Sequence, residues 1–231
     1  MTKRNDTDFY KTVEKNKKNK NKNKELKTDF GIFKLPVRCG FFGASGSGKT
    51  HSVMQVIREL NGVFSKVYII SPNVREPLYE YLQERNPESV DLINYEKHTD
   101  IPEMNDIADP DDHVLVIFDD MLVVSDKHAL KKMSDYFVRA RHKNISVFFC
   151  SQSYYTTPKL IRQQMNYCAV KKFSSKKDIT RMLREHQITD LETFTDCYRQ
   201  STTDHTNFLL LDLGRSKIFH NFDEFDIEPE F

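Results

Sequence analysis

The octapeptide Gly43-Ala44-Ser45-Gly46-Ser47-Gly48-Lys49-Thr50 has the spacing G-x-x-x-x-G-K-S/T, and the chemistry of that spacing is the grip on a phosphate chain. Glycines at 43, 46 and 48 let the backbone turn successive N–H groups inward around phosphate oxygens. Lys49 supplies a point charge for the outer phosphates, and the Thr50 hydroxyl is suited to ligate Mg2+. His51 follows directly and is grouped with the expected nucleotide contacts. The reading requires a strand before the loop and a helix after it. Val37 to Phe42 is a short apolar run, and the apolar positions 53, 54, 56, 57 and 60 recur at helical spacing. The positive end of that helix would add to the field at the phosphates.

A second group of chemical residues closes the run His113-Val114-Leu115-Val116-Ile117-Phe118-Asp119-Asp120. Five successive apolar residues, Val114 to Phe118, without polar alternation predict a strand buried on both faces in a parallel sheet. Its acids would then stand at the carboxyl edge, where ligands of open α/β sheets bind. Asp119 is placed to hold Mg2+, directly or through water, and Asp120 to orient or deprotonate an attacking water. Ile145 to Ser151 is another buried strand, and Gln152 at its end is placed to sense the γ-phosphate or that water.

The remaining chain reads as the frame for these groups. Lys66 to Pro72 is a strand stopped at proline. Residues 77 to 85 are helical, with Leu78, Tyr81 and Leu82 on one face. Val90 to Tyr95 suggests a strand, Pro102 and Glu103 a short helix start, and Asp109 to Asp112 a turn. A helix over 126 to 141 buries Leu130, Met133, Phe137 and Ala140. Tyr167 to Phe173 is a strand, followed by helices over 176 to 186 and 190 to 199. Asn207 to Leu213 and Lys217 to His220 form a hairpin turning at Gly214-Arg215.

Charge is divided unevenly. Residues 1–27 hold ten Lys/Arg and four acids, a balance of +6, which leaves −5 for residues 28–231. The alternating Lys/Asn tract from Lys15 to Lys24 has nothing to bury and is expected to be disordered, serving as a tether for nucleic acid, a solvated tail or a nuclear address. Residues 28–222 are expected to form one ATPase domain, and 223–231 an acidic tail. Cys39, Cys150, Cys168 and Cys197 lack C-x-x-C spacing, and the first three fall in predicted strands as small buried hydrophobes. No apolar run approaches the ~20 residues of a bilayer span, nor is there a signal segment, so a soluble protein of a reducing compartment is expected.

The ordered set of phosphate loop, Ser71-Pro72, Phe118-Asp119-Asp120, Arg141-His142-Lys143-Asn144-Ile145-Ser146, Ser151-Gln152 and Pro158-x-x-Ile161-Arg162 resembles the genome-packaging ATPases of the FtsK-HerA superfamily, in particular those of large DNA viruses, virophages and Polinton-like elements. The likeness covers about residues 30 to 222. It implies an α/β P-loop NTPase of the additional-strand, RecA-like kind, with a mostly parallel central sheet flanked by helices and a C-terminal hairpin. It further implies ATP and Mg2+ as cofactors, a homo-oligomer ring, double-stranded DNA as a partner without sequence preference, and a capsid or portal-like vertex. The place of action would be virion assembly in the host cytoplasm or nucleus, and the virion. By the same resemblance Asp120 stands where many relatives carry Glu, Gln152 is the polar sensor, and an arginine reaches into a neighbouring subunit's site. Arg141 is the first choice for that arginine, with Arg139 and Arg162 behind it.

Three other readings start from the phosphate loop. A small nucleotide kinase needs an acceptor pocket and an arginine-bearing lid, neither of which is evident. A GTPase would carry Asn-Lys-x-Asp after the acid strand, and none appears. A nucleotide-binding assembly factor would bind without turnover. DNA-stimulated hydrolysis separates the motor from all of these.

Overall fold

The computed structural model describes residues 26–121 and 126–227; the Lys/Asn tract and residues 228–231 lie outside them. Nine strands make one sheet in the order β11-β10-β9-β8-β3-β7-β6-β4-β5. Its parallel part comprises β8 (Tyr167–Val170), β3 (Arg38–Phe42), β7 (Ile145–Ser151), β6 (His113–Asp119), β4 (Phe64–Ser71) and β5 (Val90–Asn94). The phosphate-loop strand β3 is separated from the acid strand β6 by β7, so the additional central strand is present.

The apolar runs of β6 and β7 are buried on both faces for the reason their composition gives. Val114, Val116 and Phe118 enter one core with Ile145, Val147 and Phe149, while Leu115 and Ile117 enter the opposite core with Phe148 and Cys150. Helix α1 (Lys49–Glu59) covers the second core with Val53 and Val56, and α2 (Pro77–Arg85) adds Tyr79. The short α3 (Met104–Ile107) lies over the first core, as do α4 (Lys127–Arg139), α5 (Lys159–Gln164), α6 (Lys176–His186) and α7 (Leu191–Ser201). All four cysteines are buried and unpaired.

Three local readings change. The buried residue of α2 is Tyr79, whereas Tyr81 is 51% exposed, because the helix starts at Pro77 and turns position 79 toward the sheet. Helix α4 ends at Arg139 and passes into a 3-10 turn, Ala140–Lys143, with Asn144 left-handed (φ 57). Its inward face is Ala129, Met133, Tyr136 and Phe137.

At the C-terminus, β9 (Leu209–Asp212) pairs antiparallel with both β8 and β10 (Lys217–His220). The Asp212 carboxylate accepts from Gly214 N and Arg215 N and fixes the hairpin turn. Residues 223–227, grouped with the acidic tail by charge, carry a further edge strand β11 (Asp223–Glu224), and Phe225 and Ile227 pack on the core. A two-stranded ribbon, β1 (Asp29–Phe30) and β2 (Phe33–Lys34), precedes β3 and buries Phe33 against Tyr167.

Candidate nucleotide site

Parallel strands bring the two sequence motifs to one edge. Phe42 is in register with Ser151, and Asp119 with Cys150, so Gly43, Gln152 and Asp120 leave the sheet at nearly the same level. Between them opens a cavity of about 310 Å3 lined by Ser45, Gly46, Gly48, Lys49, Thr50 and His51 on one side, and on the other by Ser71, Asn73, Glu76, Leu78, Asp119 and Asp120. That volume is at the lower end of small-molecule sites. Gln152 is exposed and stands outside this wall.

The loop is held from outside before any ligand arrives. Gly43 N donates to Ser151 O at 3.3 Å and Ala44 N to Lys172 O at 2.9 Å. These first two predicted nucleotide contacts therefore anchor the loop to the ends of β7 and β8. Gly48 has φ +88, and a Cβ there would run into the carbonyl oxygen of His205, so this position requires glycine on both counts. Ser47 Oγ is buried without a hydrogen-bond partner. Lys49 Nζ spends its hydrogen bonds on the loop's own carbonyls, Gly43 O at 3.1 Å and Ala44 O at 3.2 Å. An orphaned hydroxyl, a cation bonded only to its own loop, and left-handed glycines at the start of an eleven-residue helix make a cradle that fits a phosphate chain.

Across the cavity, Tyr79 donates its hydroxyl hydrogen to Asp119 Oδ2 at 2.9 Å. Burial raises the Asp119 carboxyl above its ordinary value, and the charge of Asp120 adds to this, while Tyr79 and Lys49 pull it down. A divalent cation at this carboxylate would offset the cost of burying its charge, so the acid, Thr50 and Lys49 are chemically matched to a metal-bound phosphate. Asp120 is left-handed, φ 52, a conformation Asp tolerates better than most residues and one found at functional turns.

Three contributors escaped the sequence reading. Tyr79 gave no chemical signal, being one aromatic in a polar helix. Glu76, cap of α2, sits on the cavity wall as an additional carboxylate. Lys171 is 2% exposed, and its Nζ donates to the carbonyls of His205 and Asn207, the latter at 2.6 Å. Burial lowers its pKa to about 8, against a small opposing pull from Asp204. A lysine ending an apolar strand was as legible as the aspartate ending β6. Burial, then the charge of Lys171, also lowers the pKa of His51.

The arginines are divided. Arg162 is 3% exposed, paired with Glu185, bonded to Thr157 O and set over the Tyr154 ring. It is an internal strut, which corrects its candidacy for reaching a neighbour. Arg139 and Arg141 are exposed, and Arg141 lies in the turn entering β7, at the amino end of the sheet and away from the cavity. Elsewhere, His98, Asp126 and His128 bring ligand atoms within 4.8 Å. There Asp126 caps α4 through His128 N and Ala129 N and accepts from Tyr95 OH, which accounts for the cluster.

Among described residues, no helix is long and apolar enough to cross a membrane. The fold is similar to the genome-packaging NTPase B204 of Sulfolobus turreted icosahedral virus 2 in complex with ATP-gammaS, at TM-score 0.54 and 13% identity, covering 80% of this chain and 97% of that one. It is also similar to B204, the DNA-packaging ATPase of Sulfolobus turreted icosahedral virus, at TM-score 0.54 and 14% identity over 84% and 98%. ATPases 2 and 3 of EssC from Geobacillus thermodenitrificans align at TM-score 0.52 and 10% identity over 77% of this chain and 38% of that one. No curated protein sequence matches. The model of the poxvirus A32 protein family matches residues 23–212, a span that includes the phosphate loop, the acid pair and the turn bearing Arg141, and the chain belongs to that family.

Proposed function

We propose that this chain is the ATP-hydrolysing subunit of a viral genome-packaging motor, assembled as a homo-oligomeric ring that drives double-stranded DNA into a capsid at the site of virion assembly. The observation that carries the reading is the convergence of the phosphate loop and the acid pair of β6 on one cavity, in a chain of the A32 family with the fold of the packaging ATPase B204.

Thr50 and Asp119 would hold Mg2+, which neutralises phosphate charge when bound. Lys49 leaves the carbonyls of Gly43 and Ala44 for the outer phosphates, and the N–H groups from Ser45 to Thr50 turn to their oxygens. Asp120 orients water and takes its proton as the oxygen attacks the γ-phosphorus; the bond from phosphorus to the bridging oxygen breaks, giving ADP and inorganic phosphate. Gln152, which follows β7, senses that phosphate, and Arg141 acts on the site of the adjacent subunit.

The test is steady-state hydrolysis by the full chain with and without double-stranded DNA. DNA should stimulate the wild type, and Lys49→Ala and Asp120→Asn should each lower the rate by about 100-fold or more. Equal activity in all three overturns the catalytic assignment. Nucleotide binding without turnover would favour an assembly factor.

A further inference from the structure

The domain that follows the basic tail is acidic overall, yet six cations fall between Lys171 and Arg184 against one acid, Asp178, and that acid is 3% exposed. Helix α6 explains how they are sorted. Ile179, Met182 and Leu183 pack on the core, which leaves Lys176, Lys177, Thr180, Arg181 and Arg184 on the outer face. With Tyr155, which is 52% exposed, these five residues line a surface hollow of about 360 Å3. A second hollow, of about 420 Å3, adjoins it through Lys176 and adds Lys172 and Arg199 along with Ser174, Ser175, Thr202 and Thr203. Neither lining contains a carboxylate. Glu185, the other acid on the helix, is engaged by Arg162 and Arg181. A continuous band of Lys, Arg, Thr and Tyr is the donor set that meets phosphodiester oxygens without reading bases.

The band is also fastened to the nucleotide cavity. Asp178, in the first turn of α6, accepts from Ser153 Oγ at 2.7 Å and from Tyr155 N at 2.8 Å, so the helix is tied to the segment directly after Gln152. On its other side, Lys172 O holds Ala44 N of the phosphate loop. A shift of the loop or of Gln152 between nucleotide states would therefore be passed to α6 through these short hydrogen bonds.

We infer that the outer face of α6, with Tyr155 and the adjoining Lys172 and Arg199, is the surface that grips the phosphate backbone of double-stranded DNA and moves it as the nucleotide state changes. This rests on the packaging reading above and assigns the part of the chain that touches DNA. The contact is to phosphates, so it is independent of sequence and strongly weakened by salt.

The experiment uses the full chain. Lys177→Glu/Arg184→Glu alters two exposed positions, and Lys127→Glu/Lys131→Glu on α4 is the matched control of equal charge change. DNA affinity is measured by fluorescence anisotropy over a salt series, alongside ATP hydrolysis with and without DNA. The α6 pair should lose on the order of 10-fold in affinity, flatten the log–log salt slope by about 2, keep its DNA-free hydrolysis rate and lose stimulation, equally on two unrelated DNA sequences. The α4 pair should behave as wild type. If the α6 pair matches the wild type in affinity, slope and stimulation while the wild type is stimulated, this surface is overturned and the packaging reading stands. A wild type that neither binds DNA nor responds to it overturns both.

Discussion

At the carboxyl ends of β3, β6 and β8 the polar groups are held by the fold: Asp119 by Tyr79, Lys49 by its own loop, Lys171 by two carbonyls. At the amino end of β7 the 3-10 turn puts Arg141 in solvent, its side chain bonded to neighbouring His142. The cavity wall has one lysine and no arginine. The exposed arginine is separated from it by the seven residues of β7, roughly 23 Å of strand, well beyond any side chain's reach. Among the described residues the cavity end offers a lysine and an acid pair without a guanidinium, and the other end carries exposed arginines away from that cavity. Such a division fits the ring proposed above, in which the next copy would complete each site.

The largest effect expected from breaking this arrangement is at Arg141. Arg141→Ala should lower hydrolysis on the order of 10^3-fold, the usual worth of an arginine supplied to a phosphoryl-transfer site, while leaving ATP affinity within a few-fold of wild type. Mixing it with Lys49→Ala supplies the decisive readout. In a mixed ring, an intact cavity can sit beside an intact Arg141, so the mixture should recover measurable activity that neither variant has alone. No recovery in mixed assemblies, or wild-type turnover by Arg141→Ala, would remove the arginine from the site and leave the two ends of the sheet unconnected.

Asp119 is the place to sharpen the other half of the comparison, since its setting is tertiary. Tyr79→Phe keeps the buried ring and deletes the hydrogen bond to the carboxylate. Outer partners of this kind typically tune metal affinity by 10- to 100-fold, and the Mg2+ needed for half-maximal hydrolysis should rise by about 10-fold with little change at saturating metal. The hydrogen bond favours the charged form of an acid whose pKa burial has already raised. Its loss raises the pKa further, so the acid limb of the Mg2+ dependence should move to higher pH. A purely structural role for Tyr79 would lower stability and leave both the metal requirement and that limb in place.

The legibility of the molecule follows the same boundary. Strands β3, β6 and β7 and helix α1 could be read because burial on two faces, or on one helical stripe, writes itself into local composition, and Lys49, Asp119 and Asp120 followed from loop spacing and a strand end. Tyr79 and Glu76 could not, because one reaches Asp119 and the other the cavity wall from an element whose docking angle no local pattern fixes. The stripe over 77–85 pointed to Tyr81, two positions from the residue that is buried, Tyr79. Arg162 stood behind Arg141 as a candidate in sequence, and its burial and its pairing with Glu185, 23 residues away, are set by tertiary packing that no local pattern shows. The ribbon at 29–34 and the edge strand at 223–224 were missed because two-residue strands carry no periodicity.

Lys171 gives the smallest effect, in stability more than in rate. Its pKa is about 8 in the folded chain and about 10.4 in an unfolded one. Between those values the unfolded chain binds the proton and the folded chain does not, so this lysine's contribution to stability rises with pH across the window from about 8 to 10.4 and is flat below it. Buried tyrosines and cysteines whose pKa values are raised act in the opposite direction there, which is why the comparison must be with a variant. Lys171→Met keeps most of the volume and removes the charge, and its stability relative to wild type in urea should be best near pH 7.5 and decline steadily toward pH 10. A difference that does not change with pH would mean that Lys171 is solvated when folded, and the phosphate loop would then lack the buried cation that holds residues 205–207 against Gly48.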